Sequence, residues 1–185
     1  MRKFVIAASA VTLLAGPAIA QVNARPQVAP ASGLKTAMAE GVVHPSTSPL
    51  RFASYAGKPH PTATFTGRVE ISGTYVVGLE DDQISASLWL DERSRKLLPH
   101  WDIKGEADQL DITNSDNFAK AVLSAEELVK LKSGRMARIR GQASIVADEY
   151  ATSLLDCDLV SYKARFVSVL KNVEFAGDPG EERSC

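Results

Sequence analysis

Four basic residues on two predicted strands are the side chains best placed to bind a ligand. Arg138 and Arg140 occupy polar positions of one alternating segment, and Lys163 and Arg165 occupy polar positions of another. Side chains alternate between the two faces of a strand, so each pair is expected to point outward. If the two strands are neighbours, the four residues form a basic stripe that can receive phosphate, sulfate or carboxylate groups. The alternative is the ordinary polar face of a half-exposed sheet.

The histidines offer a weaker case for catalysis. His44 and His60 lie beside prolines in a segment without regular periodicity, which leaves His100. Asp102 follows it by two residues and can in principle orient its imidazole. Together with Asp108, this gives the alternative prediction of an exported hydrolase with its site around His100. The sequence has no HExxH, GxSxG, P-loop or GxGxxG motif, so we predict no catalytic residue, no metal site and no cofactor.

The first 20 residues have the pattern of a secretory signal peptide. Arg2 and Lys3 precede an apolar run from residue 4 to 15, and a Gly-Pro pair then leads to small residues that end at Ala20. The run is shorter than the roughly 20 residues that a membrane-spanning helix needs. We therefore predict cleavage after Ala20, a mature chain without a membrane span, and a periplasmic or secreted location.

The two cysteines, Cys157 and Cys185, both belong to the predicted mature chain. Paired thiols persist in the oxidising compartments that exported proteins reach, so we predict an internal disulfide between them. It would connect the C-terminal residue to the loop before the last predicted strand. The alternative is that Cys185 stays free or pairs with another chain.

The chain changes character along its length. Residues 21–61 are rich in Ala, Pro, Ser and Gly, which is typical of a linker or an extended arm. Within this arm, residues 34–40 and 50–55 have the composition of a helical turn and of a segment that packs on a domain. Residues 62–173 form the predicted β-rich domain, and residues 174–185 form a C-terminal tail with the second cysteine.

Alternation of apolar and polar residues marks the strands of this domain. Residues 63–79 and 84–90 alternate on either side of the polar turn 80–83, which predicts a hairpin. Residues 136–146 and 159–170 alternate in the same way and predict two further strands. Their connection contains the first cysteine.

The middle of the domain is more varied. Residues 93–112 are compatible with a short strand or with irregular structure. Ser124 and Glu127 form a capping box that begins a short helix, which Ser133 and Gly134 end.

The order of five strands, with one helix between the third and the fourth, resembles the OB-fold, a small Greek-key barrel. The resemblance covers about residues 62–173 and depends on the helix position and on a long first strand with internal Gly67 and Gly73. It implies a mainly β fold of the OB type in an exported bacterial domain. An antiparallel sheet with one short helix packed on it is the alternative.

The charge balance limits the partners. Removal of Arg2 and Lys3 lowers the count of basic residues from 21 to 19, against 22 acidic residues. We therefore predict no nucleic-acid partner. The function that we predict is an exported, non-catalytic binding or structural module of the bacterial envelope, with an unidentified envelope protein or an anionic glycan as its partner.

Overall fold

The computed structural model describes residues 30–174, so the predicted signal peptide and most of the C-terminal tail lie outside the described residues. The elements in chain order are α1 (Pro30–Ala39), β1 (Val42–Val43), β2 (Arg51–Ala56), β3 (Thr62–Thr66), β4 (Val69–Glu80), β5 (Gln83–Leu90), α2 (Glu92–Arg95), β6 (His100–Trp101), β7 (Gln109–Ile112), α3 (Ser115–Val122), α4 (Ala125–Lys132), β8 (Arg138–Leu154), a 3-10 turn (Asp156–Asp158) and β9 (Val160–Glu174). None of the helices in residues 30–174 is long and apolar enough to cross a bilayer.

Five strands close into a barrel. β4 pairs with β5, β5 with β7, β7 with β9, β9 with β8, and β8 returns to β4. The β7–β9 pairing is parallel and the other four are antiparallel. Helices α3 and α4 lie between the third and fourth barrel strands. The predicted mainly β fold is confirmed, and the barrel is closed and OB-like rather than an open sheet.

Inward-facing apolar residues of the barrel strands form the core. Tyr75 on β4 is 1% exposed and lies across from Gly141 on β8, where a side chain would overlap the tyrosine ring. Phe118 of α3 packs edge to face on Tyr75, with 5.8 Å between ring centroids, and on Phe166 of β9, with 5.3 Å. Because Phe118 is fully buried between rings from two strands, α3 is anchored against the barrel.

The segment before the barrel also contacts it. β8 pairs with β4 through residues 138–147 and with β3 through residues 150–153, and β2 extends the sheet beyond β3. Leu50 is 2% exposed, and its carbonyl oxygen lies 2.9 Å from Nε2 of His44, whose ring stacks on Phe65. Part of the segment that the sequence indicated as an arm therefore packs on the domain.

Two strand boundaries differ from the sequence-based prediction. The predicted strand over residues 63–79 is divided into β3 and β4 at Gly67, which has a φ of 108°. β8 continues to Leu154 through much of the predicted connection. At Glu149 the φ is 50°, and the pairing with β9 shifts between Asp148 and Ala151. This irregularity reverses the alternation of inward and outward residues, so the strand loses its period-2 pattern at that point.

Candidate functional site

The four basic residues predicted to form a stripe lie on neighbouring strands, but at opposite ends. In the antiparallel β8–β9 pair, Arg165 is opposite Asp148 and Lys163 is opposite Ala151, whereas Arg138 and Arg140 begin β8. At about 3.3 Å per residue, the two pairs are roughly 25 Å apart along β8. The structure therefore does not bring the four side chains into one continuous stripe.

Carboxylates balance the charge of the pair on β9. The guanidinium of Arg165 donates two 3.0 Å hydrogen bonds to Asp148 and lies 2.9 Å from the Glu149 carboxylate. These hydrogen bonds, and the negative charges of both carboxylates, raise the pKa of Arg165. Lys163 is the strand partner of Asp111 on β7, and its charge acts on that carboxyl. Lys163 and Arg165 each therefore have an acidic residue nearby.

The pair on β8 is different. Arg138 and Arg140 are exposed, and neither has an ion pair or side-chain hydrogen bond within the described part of the chain. They share the outward face of β8 with Gln142 and Ser144, because the intervening residues are buried. Two uncompensated positive charges therefore stand on the same face as the residues that line a surface groove.

This groove is a depression of about 560 Å³ on the outer face of β4, β5 and β8. Trp89, which is 51% exposed, forms one side of it. Strand pairing places Trp89 next to Thr74, and Thr74 next to Gln142. In residues 30–174, the side chains of Thr74 and Gln142 make no hydrogen bond, so both are available to a ligand. The groove also includes Ser72, Gly73, Leu90, Asp91, Arg95, Asp108, Ala143, Ser144 and Lys171.

The acidic residues of the groove are engaged within the protein. Asp91 caps α2 by accepting a 2.7 Å hydrogen bond from the backbone N–H of Ser94. Asp108 accepts a 2.7 Å hydrogen bond from Nη1 of Arg95. The Nε of Arg95 is buried and has no partner in the described structure. These hydrogen bonds fix the positions of Asp91, Asp108 and Arg95 at the edge of the groove.

A second row of residues lies at the other edge of the groove. The hydroxyls of Ser72 and Ser144 are 2.7 Å apart, and Lys171 of β9 is the strand partner of Ser144. Lys171 is exposed and has no ion pair within residues 30–174. Among the described residues, its ammonium group therefore has no acidic partner at the groove.

In the part of the chain that the structure describes, His100 has no carboxylate partner. His100 lies on β6, where its Nδ1 is 3.2 Å from the carbonyl oxygen of Leu98. Asp108 is bound to Arg95, and Asp102 is exposed. No hydrogen bond or ion pair joins these three predicted residues in the part of the chain that the structure describes, and that part holds no cluster of three potential metal ligands.

Only one of the two cysteines of the predicted disulfide lies in the described residues. Cys157 is exposed in the 3-10 turn between β8 and β9 and has a φ of 59°. Cys185 lies outside residues 30–174, so its pairing with Cys157 stays a prediction.

Sequence reasoning missed Trp89 and the groove. The inward positions of the second strand are Ile84, Ala86, Leu88 and Leu90, and Trp89 lies between the last two on the polar face. A large aromatic residue on the solvent side of an alternating strand is a signal of binding, because such a ring is normally buried. No protein-family model, curated protein or solved structure matches this chain.

Proposed function

We propose that this protein is an exported, non-catalytic glycan-binding module of the bacterial envelope, and that the Trp89 groove is its binding site. The observation that carries the proposal is a half-exposed indole in a concave surface, beside side chains with free hydrogen-bonding groups. A sugar ring has an apolar C–H face and a rim of hydroxyls. The C–H face stacks on an aromatic ring, and the hydroxyls form hydrogen bonds with groups such as the Gln142 amide and the Thr74 hydroxyl.

The lining of the groove favours a glycan over a protein partner. Protein interfaces have a central cluster of apolar anchors and few charges at their core. Here one large exposed apolar side chain, Trp89, is surrounded by hydroxyl, amide and charged groups. OB-type barrels bind oligosaccharides or oligonucleotides on the face of their second and third strands. Trp89 lies on the second barrel strand, and the groove extends from it over the first and the fourth. The acidic excess of the predicted mature chain disfavours nucleic acid.

The binding proposal is tested by titrating the chain from residue 21 with neutral and acidic oligosaccharides while tryptophan fluorescence is recorded. The two tryptophans differ in environment, because Trp101 is 1% exposed and Trp89 is 51% exposed. A spectral change on binding is therefore expected from Trp89. We expect Trp89→Ala to weaken binding at least about tenfold, because it removes the stacking surface, and isothermal titration calorimetry measures this variant because the fluorescent reporter is absent from it.

Val129→Ala is the matched control, since Val129 is also exposed, at 67%, but lies on α4 outside the groove lining. Both variants are expected to unfold at the same denaturant concentration as the wild type. The proposal is wrong if no oligosaccharide binds, or if Trp89-dependent binding is found instead with single-stranded DNA or with an envelope protein.

The export proposal has a separate test. If the N-terminal pattern is a cleaved signal peptide, the protein recovered from the periplasm or the medium has Gln21 as its first residue. N-terminal sequencing of that protein decides this directly. Recovery of an uncleaved chain in the cytoplasmic fraction would contradict export and leave the groove proposal standing.

A further inference from the structure

Basic residues at the groove differ in whether they have an acidic partner within residues 30–174. Lys171 and Arg140 have no ion pair within residues 30–174, whereas Arg165 is bound by two carboxylates and Lys163 faces Asp111. Lysine and arginine side chains without acidic partners are the ones that can exchange water for a ligand anion at low cost. The uncompensated charges therefore indicate where a ligand with negative groups would bind.

Strand register places the rows of these two cations before and after the row that contains Trp89. Residues paired across neighbouring strands form a row, and Trp89 is in the row of Gln142. Lys171 is in the next outward row, which contains Ser144. Arg140 is paired with Val76, one row beyond Thr74 on the other side. Rows on one face of a strand are about 7 Å apart, so the two cations are separated by about 14 Å in the direction of β8. The backbone of Trp89 is level with the midpoint between them, but it lies on β5, two strands and about 10 Å to the side of β8.

The cations Lys171, Arg140 and Arg138 form a basic track on this face, and the track ends at an acidic turn. Arg138 pairs with Gly78 one row beyond Arg140 and adds a third cation. The next outward residue of β4 is Glu80, which opens the acidic turn with Asp81 and Asp82. A negatively charged ligand is repelled from that turn, so the track runs from Lys171 past Trp89 to Arg138.

We infer that the ligand is an acidic oligosaccharide with at least two negative groups, bound by Lys171 and Arg140 and stacked on Trp89 beside them. This inference rests on the proposed function, since it names the class of glycan that the Trp89 groove takes. A single sugar ring is too short to reach both cations. The ligand therefore spans several sugar units, and its carboxylate or sulfate groups contact the cations while one of its rings stacks on the indole.

The test compares four probes: a trimer of galacturonic acid, its monomer, a sulfated heparin tetrasaccharide and neutral maltotriose. The trimer and the tetrasaccharide distinguish carboxylate from sulfate recognition. We expect one of these two to bind most tightly, and its affinity to fall with added salt while that of maltotriose does not. Lys171→Gln and Arg140→Gln are each expected to weaken its binding about fivefold, without affecting maltotriose.

Lys163→Gln is the matched control, because it removes the same charge from the outward face of β9 beside Asp111. It is expected to leave affinity unchanged. Equal loss in all three variants would overturn the inference, since it would show a general effect of net charge. Trp89-dependent binding that is equally tight for maltotriose and the acidic probes would overturn it as well, and leave the proposed function standing. If none of the four probes binds, the proposed function fails with it.

Discussion

Gly73 and Trp89 lie so close on adjacent strands that a Cβ atom at Gly73 would overlap the carbonyl oxygen of Trp89. Gly73 pairs with Leu90 where the β4–β5 hairpin opens, and both residues border the groove. The missing side chain lets β5 approach β4 at this point. The position of the indole therefore depends on a glycine on the opposite strand.

We expect Gly73→Ala to lower the free energy of unfolding by about 1–3 kcal/mol, because the strands must separate to admit the methyl group. Glycan binding should fall as Trp89 moves. Urea unfolding monitored by circular dichroism measures the first effect and the fluorescence titration the second. Gly57→Ala is the control, since a Cβ there meets no atom within 4 Å, and it should not lower stability. Unchanged stability of Gly73→Ala would show that β5 is not held this closely.

The carboxyl of Asp111 has a raised pKa, because burial outweighs the opposing effects of the Lys163 charge and the hydrogen bond from Gln109. We expect Lys163→Gln to raise this pKa further, since it removes the positive charge that favours the carboxylate. A carboxyl-detected NMR titration of both proteins measures the change. A lower pKa in the variant would contradict the pairing of β7 with β9.

The raised pKa also has a consequence for stability. The folded protein holds the Asp111 proton more tightly than the unfolded chain does, so this contribution is complete below about pH 4 and is lost as pH rises through the folded pKa. We expect Asp111→Asn to lose less stability than the wild type as pH rises through that window. Urea unfolding across the window measures the difference, and parallel pH profiles of the two proteins would contradict it.

Tyr150 attaches the segment before β6 to the wall of the sheet. Its side chain is fully buried, and its hydroxyl donates a hydrogen bond to the carbonyl oxygen of Pro99. We expect Tyr150→Phe to lower the free energy of unfolding by about 1–3 kcal/mol, because the buried carbonyl loses its donor. Tyr55→Phe, which removes an exposed hydrogen bond to Glu40, is the comparison and should cost less. Equal losses in the two variants would argue against a buried bond at Tyr150.

The capping box at the start of α4 gives a prediction that depends on local structure alone. The Ser124 hydroxyl accepts a hydrogen bond from the backbone N–H of Glu127, and the Glu127 carboxylate accepts one from the backbone N–H of Ser124. Ser124→Ala should lower stability by about 0.5–2 kcal/mol. Ser124→Thr keeps the acceptor oxygen and should retain most of it. Thermal unfolding of the three proteins distinguishes these outcomes, and a Thr variant as unstable as the Ala variant would contradict the cap.

Local patterns were enough to predict the strands of the barrel because these strands are half-buried, but they left a barrel and an open sheet as alternatives. Alternation identified the long strands, and the capping box identified α4. The pattern failed at Glu149, where a positive φ changes the side to which successive residues point. It also failed to find α3, whose buried Phe118, Ala119 and Val122 follow a run of short polar residues.

The candidate site was only partly predictable, because alternation assigns a face to each residue but not a register between strands. Arg138 and Arg140 were correctly placed on an outward face. The antiparallel register of β8 and β9 then separated them from Lys163 and Arg165. The groove depends on contacts among β4, β5 and β8, which no single segment of the sequence specifies.

Barrel closure by β9 determines when the fold can form. β9 follows every other barrel strand in the chain, and it completes the ring by pairing with both β7 and β8. Most of the stabilising contacts therefore join residues far apart in sequence, which makes folding slow relative to chains with local contacts. Until β9 emerges from a ribosome or a translocation channel, the other strands have an unpaired edge and the barrel cannot close. The interval before closure is when a chaperone would have to protect this chain from aggregation.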